Sequence, residues 1–194
     1  KAGLVRTGPQ KWLPVGRPEY LRQECEMSLR RLKLDRIDLF QLHRVDAKVP
    51  AEEQFGLLKD LRDEGKIRYV GLSEVSVEQI EAARKIVPIA TVQNLYNLQV
   101  RTAESVVDYC EKAKIGFIPW YPIASGKLVK PGGVVAEVAK ATGASPAQIA
   151  LAWLLRRSKV ILPIPGTSSL DHLEENCAAA AVELSDAQFA RLSA

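Results

Sequence analysis

Apolar and polar positions follow one another along the chain in a repeated order of short apolar runs and longer amphipathic segments. From Pro18 to about Lys33 an apolar residue recurs every three or four positions, which predicts a helix with one buried stripe. Runs such as Ile37–Leu42 are too short for such a helix and predict buried strands. The stripe of the first helix consists of Leu21, Cys25, Leu29 and Leu32. The predicted strands are Ile37–Leu42, Ile67–Leu72, Ile89–Leu95, Ile115–Trp120 and Val160–Ile164. The further predicted helices are Ala51–Glu64, Val77–Ile86, Thr102–Ala113, Val134–Ala141, Pro146–Arg157, Leu170–Ala180 and Asp186–Leu192.

The alternation of strands with helices predicts parallel strands joined by right-handed crossovers. An open doubly wound sheet and a closed barrel both fit this order, but no strand is followed by Gly-x-Gly-x-x-Gly, and a polar residue closes nearly every strand. We therefore predict an α/β fold of the (β/α)8 TIM-barrel type, formed as one domain by residues 1–194. Because five strand–helix units cannot close a barrel of eight strands, about three N-terminal strands are expected to be lacking.

Composition and charge narrow the kind of partner. The chain has 194 residues, 47% of them hydrophobic, and its 27 basic residues are spread along the sequence and nearly matched by 23 acidic ones. This balance favours a small anionic ligand over nucleic acid. The apolar runs are too short to cross a bilayer and no signal pattern begins the chain, so we expect a cytoplasmic protein without membrane contact. The cysteines Cys25, Cys110 and Cys177 lack metal-binding spacing and are expected to be buried, reduced thiols, with no metal site.

Polar side chains stand where the predicted strands end. His43 points into the barrel mouth by strand periodicity, Ser73 offers a hydroxyl at the lip, and Gln93 offers an amide. An amide beside a hydroxyl suits the recognition of a carboxamide, and the ring of Tyr121 could stack on a flat heterocycle. Each residue also has a purely structural interpretation. His43 would be a histidine whose hydrogen bonds are satisfied within the fold, and Ser73 a helix cap. Gln93 would be a surface amide and Tyr121 a core residue.

After the last predicted strand, three hydroxyl residues run into a helix. The hydroxyls of Thr167, Ser168 and Ser169 and the free backbone N–H groups there predict an anion site, for a phosphate. The alternative is a well-capped helix with no ligand.

At this point the chain resembles the aldo-keto reductases, over essentially its whole length and in family order. The matching stretches are Lys1-Ala2-Gly3-Leu4, Arg36-Ile37-Asp38-Leu39-Phe40-Gln41-Leu42-His43, Gly71-Leu72-Ser73, Val92-Gln93-Asn94-Leu95-Tyr96-Asn97, Ile118-Pro119-Trp120-Tyr121-Pro122 and Ile164-Pro165-Gly166-Thr167-Ser168-Ser169. The resemblance implies a (β/α)8 barrel that binds NADPH across the mouth at its strand ends and reduces a small carbonyl substrate, without a Rossmann fold.

The family uses a tetrad of aspartate, tyrosine, lysine and histidine. By resemblance, His43 polarises the carbonyl oxygen, and Lys1 is the lysine whose charge lowers the pKa of the proton-donating tyrosine. The aspartate and the tyrosine would lie before Lys1. Residues 1–194 alone are therefore not expected to catalyse the reaction.

The resemblance also assigns cofactor contacts. Ser73 and Gln93 match the carboxamide contacts, Tyr121 matches the ring that stacks on the nicotinamide, and Glu74 stands where many members have asparagine. The residues matching the loop around the pyrophosphate are Ala124, Ser125, Gly126 and Leu128. The residues matching the adenosine end are Gly166, Thr167, Ser168, Ser169, His172, Glu175 and Asn176. Because Gly166 and His172 replace a lysine and an arginine frequent in relatives, NADPH is the expected cofactor but the preference over NADH is weakened.

Two other functions fit the same sequence. One is a redox-sensing regulatory subunit that keeps the cofactor but turns over little substrate. The other is DNA binding through Ala144–Arg157, although the apolar residues Ile149, Leu151, Leu154 and Leu155 look like the buried face of a barrel helix. The substrate-selective loops, 44–50 and 122–133, identify no functional group. An aldehyde is expected, aromatic or heterocyclic and similar to pyridoxal.

Overall fold

The computed structural model describes residues 1–124 and 133–194, which form two compact units, Lys1–Gln93 and Asn94–Ala194. The prediction of a single domain stays a prediction.

The first unit carries two complete strand–helix repeats and the strand of a third. Its elements are β1 (Leu4–Gly8), β2 (Lys11–Pro14), α1 (Pro18–Leu32), β3 (Ile37–Leu42), α2 (Ala51–Asp63), β4 (Ile67–Ser73), α3 (Val77–Arg84) and β5 (Ile89–Gln93). The predicted helices and strands of this unit are confirmed, except that β5 and α3 each end two residues earlier than predicted. The antiparallel hairpin of β1 and β2 was not predicted, because its strands lie largely exposed and lack an alternating apolar pattern.

The strands of the first unit pair in parallel, as predicted. β3 pairs with β4 from Ile37 opposite Ile67 to Leu42 opposite Leu72, and β4 pairs with β5 up to Ser73 opposite Gln93. Ala2 forms an isolated parallel bridge to Leu42 on the other side of β3. Four neighbouring chain segments therefore contribute one buried residue each to a single rung of the sheet. This rung consists of Ala2, Leu42, Leu72 and Val92.

Helices cover the face of this sheet on which the rung lies. The core contains Phe55, Leu58 and Leu61 of α2, as the periodicity predicts. The predicted stripe of α1 is correct at Leu21 and Cys25, but Leu32 in the last turn is 58% exposed. The stripe therefore ends before the helix does.

The second unit is mostly helical. Its elements are α4 (Glu104–Ala113), β6 (Gly116–Phe117), α5 (Val134–Thr142), α6 (Pro146–Arg157), α7 (Leu170–Ala178), a 3₁₀ turn (Ala179–Ala181) and α8 (Asp186–Ser193). The predicted strand Ile115–Trp120 shrinks to two residues, and Val160–Ile164 to one parallel bridge between Phe117 and Ile161. Pro119 and Pro163 lie in these runs and have no N–H to donate to a sheet, which explains why both strands are shorter than predicted.

An aromatic cluster and a charge network hold the second unit together. Trp153 stacks on Tyr96 and on Phe189, and the Tyr96 hydroxyl donates to Glu104 at 2.7 Å. Arg157 donates to the other oxygen of Glu104 at 2.6 Å. Arg156 pairs with Asp186, so both arginines at the end of the segment considered for DNA binding are engaged within the fold. Leu155, expected to be buried, is 37% exposed.

Cys25 and Cys110 are buried as expected, whereas Cys177 on α7 is exposed, which corrects the sequence prediction for that thiol. Over 1–124 and 133–194, none of the helices is long and apolar enough to cross a membrane. In the same ranges no three metal-binding side chains are grouped.

Candidate functional site

Four side chains predicted for the site lie on one face of the parallel sheet, where its strands end. Ser73 and Gln93 are the last residues of β4 and β5 and are paired in register. His43 follows β3, and its backbone N–H donates to the carbonyl of Ala2 at 2.7 Å. Lys1 precedes Ala2, so strand alternation places its side chain on the same face as His43. The structure thus brings together the residues of this unit that the sequence analysis predicts to be catalytic or to bind a carboxamide.

Lys1 and Gln93 are joined directly, which the sequence does not predict. The Lys1 ammonium donates to Gln93 Oε1 at 2.6 Å, although β3 and β4 lie between the two backbones. Because an ammonium can only donate, the amide oxygen faces Lys1 and the amide nitrogen is left for another acceptor. Burial, and then the positive charge of Arg44, lower the pKa of the Lys1 side chain.

His43 lies half-buried beside two positive charges. Burial, followed by the charges of Lys1 and Arg44, lowers the pKa of His43 from 6.5 to about 4. The imidazole is therefore neutral at pH 7. A neutral imidazole keeps one N–H, which can donate a hydrogen bond to a carbonyl oxygen.

Arg44 is a site residue that the sequence interpretation missed. One guanidinium nitrogen, Nη1, donates to the His43 carbonyl at 2.6 Å and to the Ser73 hydroxyl at 3.2 Å. Its position directly after His43 is the one signal for it in the sequence.

Gly71 leaves room for a contact that crosses β4 beneath the site. The Gln41 amide donates to the Thr91 hydroxyl at 3.3 Å, and both residues flank Gly71 in register. A Cβ at Gly71 would lie 2.3 Å from Thr91 Oγ1 and 2.8 Å from Gln41 Cγ. Glycine is thus required here by the close approach of two side chains.

Replacing Gly71 by alanine is expected to lower the free energy of unfolding by about 1–2 kcal/mol, because Gln41 and Thr91 must move apart. Gly56→Ala in α2 is the matched control, since its added Cβ meets nothing within 4 Å and should stabilise the helix. Urea unfolding of both variants measures the difference. The steric explanation also requires a smaller cost of Gly71→Ala in a Thr91→Ala background, so an undiminished cost there would contradict it.

A buried polar cluster fixes the loop that follows His43. The Asp46 carboxylate accepts from the N–H of Gly16 and of Lys48, both at 3.0 Å. Gln54, fully buried on α2, accepts from Asp46 N–H and donates to the carbonyls of Asp46 and Val49, at 2.8–2.9 Å. A Cβ at Gly16 would meet Gln54 Oε1 at 2.4 Å, so only glycine fits. The cluster connects the segment after the hairpin, the loop after His43 and α2 by hydrogen bonds.

Glu74, expected near the carboxamide, adopts a left-handed conformation with φ of 55°. Its N–H donates to the Gln93 carbonyl at 3.0 Å, which holds the turn next to the site. Asparagine adopts this conformation more readily than glutamate, which explains why asparagine suits the position.

In the second unit, Tyr121 lies in a turn and does not end a regular strand. Its φ is 61°, its side chain is 37% exposed, and its carbonyl accepts from Asn97 Nδ2 at 3.1 Å and from Ala124 N–H at 3.2 Å. Asn97 is fully buried and also accepts from the N–H of Gln99 and of Val100. Asn97 is therefore a positioning residue, to which the sequence pattern assigns no role. The predicted contacts Ser125, Gly126 and Leu128 lie outside the described residues.

The predicted adenosine site lies at the start of α7. Ser169 caps this helix by accepting from His172 N–H at 3.4 Å, and the Thr167 hydroxyl accepts from Ser169 N–H at 3.1 Å. Gly166, Ser168 and His172 are exposed. The backbone carbonyl of Glu175 accepts a hydrogen bond from the Gln148 side chain, and the neighbouring Asn176 is partly buried. Two of the three hydroxyls therefore serve the helix itself.

Comparisons with known proteins agree with one another. The model of the aldo/keto reductase family matches residues 2–194. The chain is 55% identical over 192 residues to an uncharacterized oxidoreductase of Schizosaccharomyces pombe, covering 99% of this chain and 63% of that protein. It is 38% identical to pyridoxine 4-dehydrogenase of Escherichia coli, covering 96% of this chain and 67% of that protein. The crystal structure of an aldo-keto reductase from Klebsiella pneumoniae in complex with NADPH has a TM-score of 0.81 and 30% identity, covering 91% of this chain and 64% of that one. The chain thus spans less than two thirds of the length of the first of these relatives.

Proposed function

The chain belongs to the aldo/keto reductase family, and on this premise we propose that it serves the NADPH-dependent reduction of an aldehyde or ketone to an alcohol. The observation that carries the proposal is the convergence of Lys1, His43, Ser73 and Gln93 on one face of three parallel strands, at their carboxyl ends. We also propose that these strands belong to a (β/α)8 barrel. The expected lack of about three strands stays a prediction, as does the cytoplasmic location.

The residues of the first unit fit a nicotinamide carboxamide. Lys1 holds the oxygen of Gln93, which leaves Gln93 Nε2 as a donor, and the Ser73 hydroxyl can donate its own hydrogen while it accepts from Arg44. Both donors suit the oxygen of a carboxamide. When bound, the dinucleotide supplies the hydrogen and the electron pair that the carbonyl carbon of the substrate takes up.

The residues around His43 act on the oxygen of the substrate. The neutral imidazole would donate to the carbonyl oxygen, and the Lys1 charge would stabilise the negative charge that develops there. The tetrad's aspartate and tyrosine have no matching positions in residues 1–194. We propose that this chain by itself binds the cofactor without turning over substrate.

The second unit is proposed to bind the remaining parts of the cofactor. Tyr121 would stack on the nicotinamide, Ala124 with Ser125, Gly126 and Leu128 would line the pyrophosphate, and the start of α7 would hold the adenosine end. Because Thr167 and Ser169 cap the helix, Ser168, His172 and free backbone N–H groups are the groups left for a 2′-phosphate. The proposed contacts at this end are Gly166, Thr167, Ser168, Ser169, His172, Glu175 and Asn176.

An aldehyde on an aromatic or heterocyclic ring, such as pyridoxal, is the proposed substrate. The support is the 38% identity to a protein named pyridoxine 4-dehydrogenase. A regulatory subunit with little turnover has no support among the relatives reported above, which are named as an oxidoreductase, a dehydrogenase and a reductase.

Calorimetric titration with NADPH and NADH tests the proposal. The chain is expected to bind NADPH more tightly than NADH, and Gln93→Leu to weaken NADPH binding about tenfold, because a carboxamide donor is lost. Gln23→Leu, an exposed glutamine on α1, is the control and should bind as the unchanged chain does. Absence of dinucleotide binding would overturn the function, whereas equal affinities would overturn only the NADPH preference.

The same preparations are assayed with pyridoxal and NADPH. No turnover is expected from residues 1–194. Joining them to the part of the Schizosaccharomyces pombe oxidoreductase outside the matched region is expected to produce turnover that His43→Ala abolishes. Turnover by the chain alone would contradict the incomplete tetrad.

A further inference from the structure

Two positive side chains flank His43 without a negative partner. In the part of the chain that the structure describes, neither the Lys1 ammonium nor the Arg44 guanidinium forms an ion pair with a carboxylate. Their hydrogen-bond acceptors are neutral: the Gln93 amide, the His43 carbonyl and the Ser73 hydroxyl. The unit therefore presents two uncompensated positive charges where its parallel strands end.

The guanidinium of Arg44 is held in place by hydrogen bonds from only one of its three nitrogens. Both of its hydrogen bonds come from Nη1, which leaves Nε and Nη2 without an acceptor among the described residues. No buried side-chain donor lacks a partner in those residues, so the two nitrogens of partly buried Arg44 are open to solvent. A guanidinium held in this way offers a fork that matches two oxygens of one anion.

The anchor of Arg44 ties this fork to the reacting position. Its acceptors are the carbonyl of His43 itself and the hydroxyl of Ser73, a residue that is 2% exposed. Because the fork is held by the backbone of the residue that would polarise the substrate, an anion bound to Arg44 lies close to that residue. Holding the side chain in advance also reduces the entropy lost when a ligand binds.

We propose that Arg44 is a specificity-determining residue that binds an anionic oxygen group, a carboxylate or a phosphate, carried by the carbonyl substrate. This inference rests on the proposed function and deepens it: among aromatic and heterocyclic aldehydes, those that carry a carboxylate or a phosphate are preferred over those that carry neither, such as pyridoxal. The same fork could instead take a phosphate of the cofactor, and the experiment separates the two sources.

The probes are benzoate and benzamide, which have the same shape and differ in charge. Their binding to the 194-residue chain is measured by NMR, with and without saturating NADPH, for the unchanged chain, Arg44→Gln, Arg44→Lys and the control Arg31→Gln. Arg31 is an exposed arginine, so its variant loses the same charge elsewhere. Benzoate is expected to bind more tightly than benzamide, and Arg44→Gln to weaken benzoate about tenfold or more with little effect on benzamide. Arg44→Lys should recover only part of the loss, and Arg31→Gln should change nothing.

Equal binding of the two probes, no benzoate binding, or full benzoate binding by Arg44→Gln would overturn the inference. Competition between benzoate and NADPH, with NADPH weakened in Arg44→Gln as much as benzoate, would also overturn it, because Arg44 would then serve the cofactor. Arg44-dependent benzoate binding without any NADPH binding would contradict the proposed function, and with it the role of Arg44 in substrate selection, while the anion-binding property of Arg44 would stand.

Discussion

Replacing Gln54 by leucine is expected to lower the free energy of unfolding by about 3 kcal/mol, because one buried N–H loses its partner and two carbonyls each lose a donor. These groups are the N–H and carbonyl of Asp46 and the carbonyl of Val49. Leucine fills much of the same volume, so the loss reports hydrogen bonding and not a cavity. Denaturant unfolding followed by circular dichroism measures the effect.

Gln23→Leu makes the same chemical change on the exposed face of α1 and should alter stability by less than about 0.5 kcal/mol. Asp46→Ala, which removes the acceptor for Gly16 and Lys48, should also destabilise the chain. A cost for Gln54→Leu as small as that of Gln23→Leu would show that the loop after His43 is not held by this cluster.

The second large effect is the titration of His43, which is expected near pH 4 and not near pH 6.5. NMR can follow it directly, because the chain has only two histidines and His172→Gln assigns the signals. Neutralising a neighbour, by Arg44→Gln or Lys1→Met, is expected to raise the pKa of His43, since each removes a positive charge that opposes protonation. A value near 6.5 in the unchanged chain would rule out this electrostatic description.

The same shift makes a stability prediction whose sign is fixed by linkage. The unfolded chain binds a proton at His43 with the ordinary pKa, whereas the folded chain binds it only near pH 4. The unfolded state therefore holds more protons as the pH falls below about 6.5, and the folded state loses stability until the pH passes below about 4. His43→Gln should lack this part of the pH dependence.

The sequence predicts the first unit better than the second for a physical reason. Strands β3, β4 and β5 are short, mainly apolar runs that pair with neighbours of the same kind, so local pattern and tertiary pairing agree. In the second unit, Pro119 and Pro163 interrupt two similar runs, and only short pairing survives. A pattern of apolar positions does not show that proline lacks an N–H group, although the two prolines are visible in the sequence.

Within the site, residue types could be predicted but their partners could not. Strand alternation places His43, Ser73 and Gln93 on one face, as the structure confirms. The bond between Lys1 and Gln93 depends on how a segment before the hairpin joins the edge of β3, which no local pattern encodes. Arg44 and Gln54 escaped notice because a charged loop residue and a glutamine on a helix are ordinary surface residues until tertiary contacts bury or fix them.

The buried rung of Ala2, Leu42, Leu72 and Val92 has a consequence for how the protein folds. Every pairing in it joins segments that are far apart in sequence, so the chain must close several long loops before the rung exists. Helices can form earlier from local contacts, but Lys1, His43, Ser73 and Gln93 acquire their spacing only with the completed rung. Ligand binding at these four residues therefore reports the end of the folding reaction, whereas the helical signal in circular dichroism reports its earlier stages.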